Sequence, residues 1–143
     1  MTDERIDVVG LREVQRALRQ LSDNGEWTKE LRVTNKYAAE SVAERARQLA
    51  PVSSGKLRRS IRAKATQKSA SVAGGGARVP YFGWIDFGGT LRFRNSSRRL
   101  TRPYLKKGRI LYAALAERNH AVVARYDRSV TDLLRRAGFS VDR

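Results

Sequence analysis

The side chains suited to acid–base or metal chemistry are few and scattered along the chain. His120 is the only imidazole among 143 residues, and cysteine is absent. Disulfides, thiolate metal sites and a cysteine nucleophile are therefore excluded. Glu117 precedes His120 by one helical turn, but one carboxylate and one imidazole fall short of a metal-ligand set. His120 reads instead as a partly buried structural residue. No serine lies in a Gly-x-Ser-x-Gly elbow, so none has visible support as a nucleophile. Gly74-Gly75-Gly76 lacks the Lys-Ser/Thr pair and the following helix of a phosphate loop, and reads as a flexible connection. Asp86 has no second carboxylate near it in sequence, so paired acid–base chemistry has no candidate. These residues predict no catalysis, no cofactor and no metal.

Binding is the chemistry the composition favours. The net charge is +16, and it is regional: residues 1–50 hold nine acids and nine bases, whereas Lys56–Arg109 hold fifteen bases and the single acid Asp86. A field of one sign favours a polyanionic partner, nucleic acid or an acidic protein surface. A merely solubilising surface usually mixes both signs. Arg92, Arg94, Arg98, Arg99, Arg102, Lys106, Lys107 and Arg109 are the candidate contact residues. Phe93 and Tyr104, interleaved with them, suit stacking on nucleotides, although core packing or protein contact is the commoner use of such aromatics. Asp86, beside Trp84 and Phe87, is predicted to pair with an arginine such as Arg58 or Arg102 and to act as a structural anchor.

Several elements must position these groups. Arg5–Val9 reads as a short strand, and Leu11, Val14, Leu18 and Leu21 mark a short amphipathic helix. Thr28 is placed as the N-cap of a long helix whose inner stripe runs through Leu31, Ala38, Val42, Ala46 and Leu49; Pro51 stops it. Leu57–Ala65 alternates as a half-buried strand, with Gln67-Lys68 turning into a second strand, Ser69–Ala73. Pro80–Phe87 reads as either a strand or a short helix begun by Pro80 and ended by Gly88, with the helix preferred. Thr90–Thr101 forms a basic hairpin or projecting loop around Asn95-Ser96. Pro103 is expected to open a C-terminal helical region with a break near Asn119 and a cap at Gly138. The sum is one α+β domain over residues 1–143, with the helices packed on one face of a small antiparallel sheet and the basic segment at about 89–102.

The N-terminal charges do not fit a signal peptide. No stretch reaches the roughly 18 apolar residues of a membrane span.

Three motifs in this order carry a resemblance. They are Ala50-Pro51-Val52-Ser53-Ser54-Gly55-Lys56-Leu57-Arg58-Arg59-Ser60-Ile61, then Tyr81 through Ile85-Asp86-Phe87-Gly88-Gly89-Thr90, then Arg102-Pro103-Tyr104-Leu105. Together they resemble the small neck, or tail-completion, proteins of long-tailed phages, the family named for gene product ten of a lambdoid coliphage. The family pattern looks like A-P-V-D-T-G-x-L-R-x-S-I, Y-A-x-x-V-E-F-G-T and R-P-F-L. Here Ser53-Ser54 stands for Asp-Thr, Phe82 for alanine and Asp86 for glutamate, and Gly89 intervenes before Thr90.

The resemblance implies a structural protein of the virion's head–tail joint, assembled in the host cytoplasm as a ring of identical subunits. Its implied partners are further copies of itself, connector or stopper proteins, and the tail terminator or tube; the basic segment then projects toward such a neighbour or toward the backbone of DNA in the channel. It implies neither a membrane nor a small-molecule substrate. The motif residues it singles out are Pro51, Gly55, Leu57, Arg58, Ser60, Tyr81, Asp86, Phe87, Gly88, Arg102, Pro103 and Leu105. Competing readings are the tail terminator of the same joint and a stand-alone, non-sequence-specific nucleic-acid-binding protein. The second of these predicts tight, salt-sensitive DNA binding by the free chain.

Overall fold

In a computed structural model of the chain, the described residues are 25–140 together with Arg16, Arg19, Gln20 and Asp23. The expected strand Arg5–Val9 and most of the expected helix over residues 11–21 lie outside them.

The long helix α1 spans Glu26–Leu49. It starts two residues before Thr28, because Gly25 takes a left-handed conformation (φ 69°) and its carbonyl receives the Lys29 amide. Ala50, held extended ahead of Pro51, ends it. Ala38, Ala39, Val42, Ala43 and Ala46 are buried on one side. Their small volumes let a second helix approach closely.

That second helix, α4, spans Leu111–Arg136. It packs against α1 in antiparallel sense: Thr34 meets Ser129 near one end of the pair, and Arg45 meets Glu117 near the other. It runs unbroken through Asn119. Asparagine costs less than about 0.7 kcal/mol relative to alanine in a helix, and packing of the neighbouring turns outweighs it. Gly138 (φ 91°) closes the helix. The Gly138 amide bonds to the Arg135 carbonyl and the Phe139 amide to that of Leu134, a Schellman arrangement.

Between these helices the chain forms two small hairpins rather than one sheet. Strands β1 (Arg62–Ala65) and β2 (Ala70–Ala73) pair antiparallel, Arg62 opposite Ala73, and lie against α1. Strands β3 (Gly89–Arg92) and β4 (Arg99–Arg102) pair separately, Gly89 opposite Arg102. The glycine turn and a short helix, α3 (Phe82–Phe87), separate the two ladders. The class is α+β, as the element pattern predicts, but the single sheet is replaced by two ribbons.

Two further segments depart from expectation. Leu57–Ile61 is not strand: Lys56–Arg59 form a one-turn helix, α2, entered through Gly55 at φ 74°. Leu57 and Ile61, four residues apart, both enter the core. Pro103 does not open a helix either; residues 103–110 form an irregular strap before α4.

The core collects Val42, Ala43 and Ala46 of α1, Leu57, Ile61, Val79, Phe82, Ile110 and Ala114. The Gly74–Gly76 segment is packed rather than flexible. A Cβ on Gly74 would lie 2.2 Å from the Phe82 ring, so only glycine permits that approach. No helix among the described residues is long and apolar enough to cross a membrane.

Candidate functional site

The first motif wraps the end of α1. Pro51 is exposed and terminates the helix; Leu57 is buried. The Ser60 hydroxyl donates to the Leu57 carbonyl (2.6 Å) and accepts the Gly75 amide (3.1 Å), joining α2 to the glycine turn. The Arg58 Nε donates to the Arg47 carbonyl (3.0 Å), one of the last in α1, while Arg47 itself donates to the Ile61 carbonyl (3.2 Å). The Arg58 guanidinium thus satisfies a carbonyl that the C-terminus of α1 leaves open.

The second and third motifs converge on Asp86. Its side chain is fully buried, yet neither Arg58 nor Arg102 pairs with it. Its partners are backbone amides: Oδ1 accepts from Arg109 (2.7 Å) and Ile110 (2.8 Å), and Oδ2 from Leu111 (3.5 Å). These are unsatisfied donors at the start of α4, and a carboxylate there is favoured by the helix dipole as well as by hydrogen bonding. A cap contributed from 24 residues upstream replaces the local side-chain cap that Ile110 cannot supply. The arginine of this knot is Arg109, whose guanidinium donates to the Asp86 backbone carbonyl (3.1 Å) and to that of Pro103 (2.6 Å).

The remaining motif residues complete the knot. Tyr81 precedes α3 and packs half-buried on the core. Phe87 lies against the Tyr112 ring, centroids 6.1 Å apart, and its carbonyl accepts the Leu105 amide (2.7 Å). Gly88 holds φ 89°, and a Cβ there would stand 2.1 Å from the Pro103 carbonyl oxygen. Trp84 Nε1 donates to the Gly89 carbonyl (3.0 Å), fixing the base of the β3–β4 hairpin.

From this base the hairpin leaves the core. Arg92, Arg94, Arg98 and Arg99 are exposed, as are Lys106 and Lys107 on the strap; Arg102 is half-buried. Phe93 (41% exposed) and Tyr104 (70%) stand among these charges and not in the core. The ion pairs among the described residues are Arg45–Glu117, Arg47–Glu44 and Arg135–Asp132, all on α1 and α4. The hairpin arginines thus have no carboxylate partner among the described residues. Arg109, grouped with them by sequence, is committed to the knot.

Sequence reasoning missed two positions. Gly108 (φ 66°) lets the strap pass Asp86 so closely that a Cβ would lie 2.7 Å from Oδ1; its signal was a glycine directly before Arg109. Asn35, buried on α1, donates through Nδ2 to the Thr66 carbonyl (2.8 Å) and the Gln67 carbonyl (3.3 Å) and accepts from the Tyr126 hydroxyl. It thereby ties α1, the β1–β2 turn and α4 together. Thr34 and Asn35 are polar at the point where the α1 stripe passes from Leu31 to Ala38, which was the available clue. Burial holds the Tyr126 phenol above its ordinary pKa. His120, by contrast, is exposed on α4 and not the partly buried residue expected.

An apolar groove of about 800 Å3 lies between α1, β2 and α4, with Leu115 and Tyr112 exposed along α4. A basic concavity of similar size lies between α2, β1 and the turn at residues 75–79.

No curated protein and no solved structure matches the chain. A protein-family model does, over residues 12–88, and it is described as "Bacteriophage HK97-gp10, putative tail-component". The matched segment takes in α1, α2, β1–β2 and α3 and stops at Gly88, directly before the basic hairpin. The Ala50–Ile61 motif falls inside it, as does the Tyr81–Thr90 motif as far as Gly88, while Arg102–Leu105 lies outside; the match spans more than half of the sequence, and the chain belongs to the HK97-gp10-like family of bacteriophage tail components.

Proposed function

We propose that this tail-component chain is a structural protein of the phage head–tail joint, without catalytic activity, that closes into a ring and helps complete the tail. The observation that carries this reading is the basic hairpin. Four exposed arginines and an exposed phenylalanine project from a rigid base that Asp86, Arg109 and Trp84 hold in place. A rigidly based, strongly charged arm suits docking to a neighbour, because complementary charge steers encounter and fixes register. If the arm faces DNA in the channel, arginine–phosphate contacts hold the backbone without reading sequence. Ring closure requires a heterologous interface, one patch of each copy meeting a different patch of the next. The partners in this reading are further copies of the chain, a connector or stopper protein on the head side and a terminator or tube protein on the tail side.

Cryo-electron microscopy of the intact virion neck tests the proposal. A ring of this chain between portal and tail tube, with residues 92–109 at an intersubunit or luminal surface, is the expected result. Absence of the chain from the particle overturns it and restores the reading of a free nucleic-acid-binding protein.

A further inference from the structure

The basic concavity beside α2 is a different surface from the hairpin, and its chemistry is more selective than the overall charge. Lys56 and Arg59 of α2, Arg62 at the start of β1 and Arg78 of the following turn all line it, with Gly75 and Gly76 supplying bare backbone. Among the described residues, four cations and no carboxylate line it. Asp86, the single acid between Lys56 and Arg109, is buried and committed to the start of α4. Arg59 and Arg62 are braced by hydrogen bonds to the carbonyls of Ser54 and Gly75 (both 3.3 Å), which limits the entropy lost on binding. Lys56 and Arg78 are exposed and make no side-chain hydrogen bond to the described residues.

Four like charges around one concavity repel each other, and a ligand that neutralises them relieves that repulsion. Guanidinium groups present paired donors that match the oxygens of phosphate. The glycine backbone leaves room for such a group to approach. The site is not a nucleotide-binding loop, since no helix follows the glycines directly.

We propose that this concavity binds phosphate groups, presented either by a nucleic-acid backbone or by free inorganic polyphosphate. A volume of about 800 Å3 is far more than one phosphate fills, so the site suits successive phosphates of one strand. This inference does not rest on the neck reading, and it is tested on the isolated chain, so either can fail alone.

The test compares three full-length forms: wild type, the Lys56→Ala/Arg78→Ala double variant, and an Arg94→Ala/Arg98→Ala hairpin control. Each is titrated with inorganic pyrophosphate by calorimetry, and with a short DNA duplex and a single strand by fluorescence anisotropy over a range of salt. Circular dichroism checks that the variants fold. The expected result is that the Lys56/Arg78 variant loses at least about tenfold in affinity for one or more of these probes. For DNA, the slope of log affinity against log salt should also fall by about 2, roughly one unit for each removed cation. The hairpin control should keep its pyrophosphate affinity. Loss confined to pyrophosphate identifies free phosphate as the source, and loss for DNA identifies the nucleic-acid backbone. If the Lys56/Arg78 variant binds every probe as wild type does, or if the hairpin control weakens pyrophosphate binding equally, the proposal is overturned in favour of diffuse surface charge.

Discussion

Asp86 is where a single residue decides most. It joins α3 to the start of α4 by accepting three backbone amides, and the strap at residues 103–110 is laid down around it. Asp86→Asn keeps the shape but turns one acceptor into a donor facing an N–H and removes the charge at the helix start. The expected loss is about 1–3 kcal/mol of stability, read as a lower denaturant midpoint at unchanged slope. Wild-type stability in that variant would show that the amides are satisfied by other means. Tyr126 offers a pH-dependent counterpart. Its folded pKa is raised by burial above the ordinary value of 10.0. The sign follows: stability from this group is fully present below the unfolded-chain value and is lost as pH rises through the folded one. Alkaline spectrophotometric titration should show a tyrosine ionising late, and Tyr126→Phe should remove that late step and lessen the alkaline loss of stability.

At the scale of elements, the two hairpins differ in kind. The β1–β2 ribbon is held against α1, with Asn35 fastened to the carbonyls of its turn. The β3–β4 ribbon is tied at its base among the described residues, by the Trp84 indole, the turn at Gly88 and the Asp86–Arg109 knot. Replacing residues 93–98 with a two-residue Asn-Gly turn should therefore leave the melting temperature within about 2 °C of wild type, since surface changes away from packed features shift stability by less than about 0.5 kcal/mol. The same replacement should prevent incorporation into phage particles, measured by complementation and by the protein content of purified virions. A large drop in melting temperature would mean that the arm is part of the fold and not a docking device.

For the whole molecule, charge is distributed unevenly over the architecture. The two long helices carry the ion pairs among the described residues, while the segment between them holds a net +14. Self-repulsion of that segment opposes folding of the isolated chain. Salt screens it, with a Debye length near 10 Å at about 0.1 M falling to roughly 3 Å at 1 M. Raising sodium chloride across that range should increase the melting temperature of the isolated protein. A decrease would indicate that the helix ion pairs outweigh the repulsion. The family match covers residues 12–88, so the hairpin, the strap and α4 lie outside the matched segment, as do residues 1–11.

Local chemistry made much of this legible in the sequence. The α1 stripe, its end before Pro51, the short aromatic helix before Gly88, the basic hairpin and the Gly138 cap are each set by residues within a few positions of one another. Where the local signal was degenerate, the reading went astray. Leu57 and Ile61 are four apart, a spacing that suits a helix and an alternating strand equally, and the left-handed Gly55 together with core packing selected the helix. Pro103 looked like a helix start because proline is tolerated there. The start of α4 was decided instead by a carboxylate 24 residues earlier. The partners of Asp86, the packing of Phe82 on Gly74, the Asn35 junction and the basic concavity all depend on groups far apart in the chain. The sequence by itself determined composition, charge, local elements and family; only the tertiary structure decided which distant groups meet, because those contacts follow from burial and the satisfaction of backbone donors across the whole fold.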